Sequence, residues 1–109
     1  MRFFVLILLL VICTSARSQQ ASPLPSQDEA SFQRAETLLS QAQQAQDSSP
    51  KRSTIWANQA LKISEEIDDF STSAQAHFLL GKLTSRTNQY KKSQHHFFTA
   101  SAIFEKLND

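Results

Sequence analysis

The chain is poor in the residues that build turns and cross-links: one glycine, three prolines, one cysteine and one tryptophan among 109 residues. A single glycine cannot supply the turns, bulges and phosphate cradles on which all-β folds and glycine-rich nucleotide loops depend. The lone Cys13 allows neither a disulfide framework nor a thiolate metal site. Charge of one sign is missing too. Eleven Lys+Arg stand against ten Asp+Glu, without the basic excess of a nucleic-acid binder. The length leaves room for one small domain and rules out a multidomain enzyme. What remains is a glycine-poor, all-α protein.

The first residues are not part of that domain. Arg2 precedes an unbroken apolar run from Phe3 to Cys13, too short for the roughly 20 residues that cross a membrane. A positive start, a short apolar core and small residues after it are the layout of a cleaved secretory signal. Ala16 and Ser18 supply the small side chains three and one residues before the cut, which places it between Ser18 and Gln19. Ile12 before Cys13 is too bulky for a lipoprotein signal, so the cysteine leaves with the leader. An uncleaved anchor is the alternative, and only then does the chain meet a membrane. Without Arg2 and Arg17 the net charge changes from +1 to −1. Residues 19–27, with Pro23 and Pro25, read as a flexible leader.

From Ser26 onward the apolar spacing is helical. Ser26 and Glu29 form a capping box, and a first helix (about 27–46) carries Phe32, Ala35, Leu38, Leu39 and Ala42 on one face. Ser49 and Pro50 open a second (about 50–68) with Trp56, Ala60, Ile63 and Ile67. Ser71 or Ser73 caps a third (about 72–87) with Ala76, Leu79, Leu80 and Leu83. A fourth (about 90–107) aligns Ser93, Phe97, Ala100, Phe104 and Leu107. Such short loops call for antiparallel neighbours.

The helices repeat in pairs, about 28–69 and 72–109. A shift of 41 lays Ala35, Leu38, Leu39 and Ser40 on Ala76, Leu79, Leu80 and Gly81. A shift of 40 lays Ser53 on Ser93, Ala60 on Ala100 and Ile63 on Ile103. At Ala76–Gly81 and at Tyr90, Ser93, Phe97 and Ala100 the chain resembles the tetratricopeptide repeat family, in the roughly 40-residue variant found in bacterial sensor kinases and transcriptional regulators. The resemblance implies antiparallel helical hairpins in a short right-handed α-solenoid. Gly81, Ser93 and Ala100 would let paired helices approach, while Tyr90 and Phe97 fill the wedge. Ser40 would replace Gly81 in the first copy, and Ala57 the aromatic.

No nucleophile elbow, phosphate loop or catalytic carboxylate pair can be assembled, so the chain reads as no enzyme and as needing no cofactor. Adjacent His95 and His96 diverge by about 100° on a helix and, with His77, read as solvated or packed side chains rather than metal ligands. Glu65, Glu66, Asp68 and Asp69 read as a solvated acidic turn, and Lys51-Arg52 and Lys91-Lys92 as outer decoration. The resemblance implies a concave binding face at Arg34, Thr37, Gln41 and Gln44, then Gln75, Phe78, Lys82, Ser85 and Arg86. A protein or peptide with some acidic character would suit it. The expected function is a non-catalytic, exported interaction module, the extracytoplasmic front of a signalling or scaffold protein. Its last apolar stripe (Ile103, Phe104, Leu107) would be covered by further chain or by self-association. The alternative is a self-contained secreted four-helix bundle that carries a small ligand or metal.

Overall fold

Among the described residues the fold has four helices: α1 (Gln27–Ala45), α2 (Pro50–Glu66), α3 (Phe70–Arg86) and α4 (Tyr90–Leu107). The computed structural model describes residues 27–108, and among them there is no strand. The expected signal, the leader before Gln27, the capping Ser26 and Asp109 lie outside the described residues.

Two of the three turns answer how a chain with one glycine reverses direction. Asp68 and Asn88 follow the ends of α2 and α3 with φ of 58° and 62°. The Asp69 and Gln89 amides donate back to the Ser64 and Thr84 carbonyls at 2.8 and 2.9 Å, and the Asp68 and Asn88 amides to Glu65 and Ser85 at 3.4 and 3.3 Å. These are Schellman closures with a short polar residue in the place glycine usually takes. Asn88→Val is expected to cost about 1–2 kcal/mol, because a β-branched side chain crowds the backbone at positive φ, while Asn88→Gly, which gives up only the exposed bond from the Tyr90 hydroxyl, costs less. Urea unfolding of the pair checks this, and equal midpoints for Val and Asn would refute it.

The start of α3 corrects the sequence reading. Its cap is Asp69, whose Oδ1 accepts from the Thr72 amide at 3.3 Å, and the helix begins at Phe70. Asp69 therefore stands at a helix N-terminus, where the dipole favours its charge. Ser73, expected as a cap, is buried and shares a 2.7 Å hydrogen bond with Ser64 on α2. Ser49 precedes Pro50 at the head of α2, but its side chain makes no capping bond.

Neighbouring helices pack in sequence, α1 on α2, α2 on α3 and α3 on α4, and α1 also meets α3. The backbones of α1 and α2 do not approach α4. The buried apolar set is small-sided: Ala35, Ala42, Ala57, Ala60, Ala74, Ala76 and Ala100, with only Leu39, Leu79, Leu80 and Leu83 of larger size. Such a core draws its helices close but buries little area per residue, so each leucine, at roughly 1.5–3 kcal/mol, carries a large share. Phe32, expected inside, is 40% exposed.

Two buried serines make the same contact in both halves. Ser53 Oγ donates to the Ala42 carbonyl at 2.6 Å, and Ser93 Oγ, forty residues later, to the Gly81 carbonyl at 2.9 Å. The counterpart of Gly81 is thus Ala42, fully buried, and not Ser40, which is exposed. On the first helix of each pair the register is 39, not 41. The difference turns α1 by about 200° relative to the sequence alignment.

Candidate interaction surfaces

The contact between α3 and α4 centres on Gly81. A Cβ there would lie 2.8 Å from Phe97 Cδ1 and Cε1, so hydrogen is the only side chain that lets the ring seat. Phe97 meets Phe78 edge-on at 5.6 Å between centroids, and Lys82 Nζ sits 4.9 Å from the centre of the Phe78 ring. That distance is within cation–π range. Phe78 remains 46% exposed. Ser93 and Ala100 are buried at the same junction, but Tyr90 is not: it is 62% exposed and its hydroxyl donates to Asn88 Oδ1 at 2.9 Å. Tyr90 braces the turn and fills no wedge between helices.

The expected binding face does not hold together across both pairs. Gln75, Phe78 and Lys82 share the outer side of α3, with Gln75 Nε2 donating to Ser71 Oγ at 3.3 Å. Arg86 is tied within the chain, to the Gln46 carbonyl at 2.9 Å and to Asp47 at 3.1 Å. Both partners are largely solvated, so the pair adds at most about 1 kcal/mol. Arg34 and Gln41 lie elsewhere. With the 39-residue register, Gln33, Arg34, Thr37, Ser40, Gln41 and Gln44 are the counterparts of Thr72, Ser73, Ala76, Leu79, Leu80 and Leu83. The α1 set is exposed throughout, and the α3 set is buried throughout. Arg34, Thr37, Gln41 and Gln44 therefore form a polar, exposed face of α1, apart from Phe78.

The last helix, in contrast, exposes phenylalanines. On α4, Phe97, Ser101 and Phe104 are the forty-residue counterparts of Ala57, Leu61 and Ser64, which α3 covers on α2. On α4, Phe97 is half-buried against Gly81 and Phe78 while Ser101 is exposed, and Phe98 is 77%, Phe104 37% and Leu107 48% exposed. A groove of about 410 Å³ runs there, with Phe78, Phe97, Ala100 and Phe104 on its apolar side and Ser101, Glu105 and Asn108 on its polar side.

Sequence reasoning missed a histidine pair. His77 on α3 and His96 on α4 face each other with Nδ1 atoms 3.0 Å apart and ring centroids 5.2 Å apart. One Nδ1 must carry a hydrogen and the other must be bare, so the bond cannot survive protonation of both rings. Burial holds the His77 imidazole below the ordinary histidine range, and the nearby His95 adds to this. His96 is lowered by burial first, then by His77, His95 and Lys92. The Glu65 carboxylate, 3.9 Å from His77 Nε2, pulls the other way, but it is 60% exposed and screened, and burial prevails. His77 lies inside the apolar run from Ala76 to Gly81, a placement that signals burial; its match to His96, nineteen residues on, depends on the helix crossing. Among the described residues no three His, Cys, Asp or Glu side chains are grouped to hold a metal, and no helix is long and apolar enough to cross a membrane.

Comparison of the chain with protein-family models, with curated proteins and with solved structures finds no match. The functional reading therefore stands on the residues and their geometry.

Proposed function

We propose that the chain is a non-catalytic, exported protein-interaction module made of two tetratricopeptide-like hairpins. In this reading α1–α2 and α3–α4 are antiparallel pairs at the start of a right-handed α-solenoid. The observation that carries it is the duplicated buried contact, Ser53 to Ala42 and Ser93 to Gly81. Independent helices would have no reason to repeat it forty residues apart. Turns of three and four residues favour antiparallel neighbours. The separation of α4 from α1 and α2 favours an open stack over the closed bundle of the carrier alternative, in which first and last helices adjoin.

The binding face of this module is the outer side of α3. Phe78 offers an apolar anchor, and Lys82, held over its ring, offers a cation at the rim. Such a pair suits an apolar residue flanked by acidic ones in a partner peptide. On α1 the register brings Glu36 and Gln43, rather than Arg34 and Gln41, to this side. Export rests on Arg2 and the apolar run to Cys13, and a signalling or scaffold role follows from the family resemblance.

One experiment tests both parts. The chain is recovered from outside the cytoplasm, its first residue is read, and it is used to select from a displayed random-peptide library. The expected first residue is Gln19, and the expected peptides pair an aromatic or aliphatic residue with acidic ones. Phe78→Ala and Lys82→Glu are each expected to weaken capture of these peptides about tenfold with helicity unchanged. Selection that is indifferent to both substitutions would overturn the binding face, and a chain retained inside the cell would overturn export.

A further inference from the structure

The basic residues at the starts of α2 and α4 read from the sequence as outer decoration, and the fold changes that. A cleft of about 420 Å³ brings Lys51 of α2 together with Lys92 and His96 of α4. Leu80 and Leu83 of α3, both buried in the core, close its floor. Phe78 and Lys82 take no part in its walls.

Among the described residues no carboxylate lines this cleft, and neither Lys51 nor Lys92 has an ion-pair partner. The adjoining turns add Arg52, Arg86 and Lys91 against one acid, Asp47, which Arg86 already pairs at 3.1 Å. Acids gather instead at the far end of α2, where Asp68 and Asp69 share a groove with Asp28 and Glu29. Two helices begin at the cleft and one ends there. Their dipoles partly offset one another, so the side-chain cations set its sign. His96 registers that sign: it is held below the ordinary histidine range by burial first, then by His77, His95 and Lys92.

The hydroxyls in the walls are already committed as donors. Thr54 Oγ1 donates to the Pro50 carbonyl at 2.9 Å, Thr84 Oγ1 to Leu80 at 2.7 Å and Thr87 Oγ1 to Thr84 at 3.1 Å. A ligand therefore meets two ammonium groups, the amides of Asn58 and Gln89 and the His96 ring, over an apolar floor. Unpaired cations sharing one concavity repel, and an anion between them removes the repulsion while bonding to both. A phosphomonoester, with a charge of about −2 at neutral pH, answers both lysines, whereas a carboxylate answers one. The floor suits an ester with a small apolar body, and the cleft has the size of a small-molecule site.

We propose that this cleft binds a small soluble phosphomonoester, its phosphoryl group between Lys51 and Lys92 and its apolar body on Leu80 and Leu83. The site shares no residue with the peptide face at Phe78 and stands whether or not that face binds.

Phenyl phosphate is the probe, titrated calorimetrically into protein recovered from cells expressing the 109-residue chain. Saturable binding with a Kd of about 0.1–1 mM is expected at neutral pH and low salt. Inorganic phosphate, which lacks the body, and benzoate, which lacks the second charge, should each bind roughly tenfold more weakly. Lys51→Gln and Lys92→Gln, both at exposed positions, should each weaken phenyl phosphate about tenfold with helicity unchanged. Lys62→Gln, exposed on α2 outside the cleft, should leave binding as it is. No saturation by about 10 mM, equal binding of inorganic phosphate or benzoate, or equal losses from Lys62→Gln and Lys51→Gln would each overturn the site. Sedimentation with phosphatidate-containing vesicles without binding of phenyl phosphate would also overturn it, and would make the lysines a membrane-surface contact instead.

Discussion

Gly81→Ala is expected to destabilise the chain by about 1 kcal/mol, and to stabilise it by about 1 kcal/mol when Phe97→Ala is already present. Two opposed effects set the sign. Alanine in place of glycine within a helix is worth about 1 kcal/mol. Against this, the added Cβ would stand 2.8 Å from the Phe97 ring, and overpacking of a seated aromatic costs about 1–3 kcal/mol. With the ring removed only the propensity gain is left. The double substitution also installs at the second junction the side chains that the first already carries there, Ala42 and Ala57, both fully buried. Gly81→Val, which no small shift of the ring can accommodate, is expected to cost about 3 kcal/mol. Urea unfolding of the single and double variants measures the coupling, expected near 2 kcal/mol. The same sign for Gly81→Ala in both backgrounds would show that the ring does not select the glycine.

Acid is expected to loosen the α3–α4 junction through its two histidines. His77 and His96 are both held below the ordinary histidine value, by burial first. In the unfolded chain they take up protons as the pH falls through about 6.5. The folded chain resists, so it loses stability over that range and keeps it in full above. The limiting slope is about 1.4 kcal/mol per pH unit for each histidine, with His77 dominant because His96 is the more exposed. When the folded pair finally accepts the second proton, the Nδ1–Nδ1 bond is lost and two cations face each other, with Lys92 and His95 adding to the repulsion and the solvated Glu65 offsetting little of it. Unfolding midpoints at pH 7.5 and 5.5 should differ clearly for the native chain and less for His77→Gln. A native chain indifferent to this window would sink the assignment.

Much of the fold was legible because helices declare themselves locally. The breaks at Ser49-Pro50, Asp68-Asp69 and Asn88-Gln89 needed no tertiary information, and the ranges expected for four helices differ from those observed by at most two residues at an end. The cap of α3 was misread because serine and aspartate both cap helices, and the choice of Asp69 followed from Ser73 being drawn into the core by Ser64. The interaction surface was less legible. A two-residue error in repeat register is invisible to a pattern rich in alanine and leucine, since several shifts align small with small. On a helix it turns a side chain to nearly the opposite side. Arg34 and Gln41 moved to the polar, exposed face of α1 for that reason alone.

The sequence by itself determined the helical class, the places where the helices break and the positions of the small residues, because turn chemistry and 3.6-residue periodicity act over a few neighbours. Only the tertiary structure decided the register of one pair on the other, the meeting of His77 with His96 and the contrast between a polar α1 face and the phenylalanines exposed on α4. Those depend on which carbonyl a buried serine reaches and how closely two helices can approach, distances set between segments far apart in the chain.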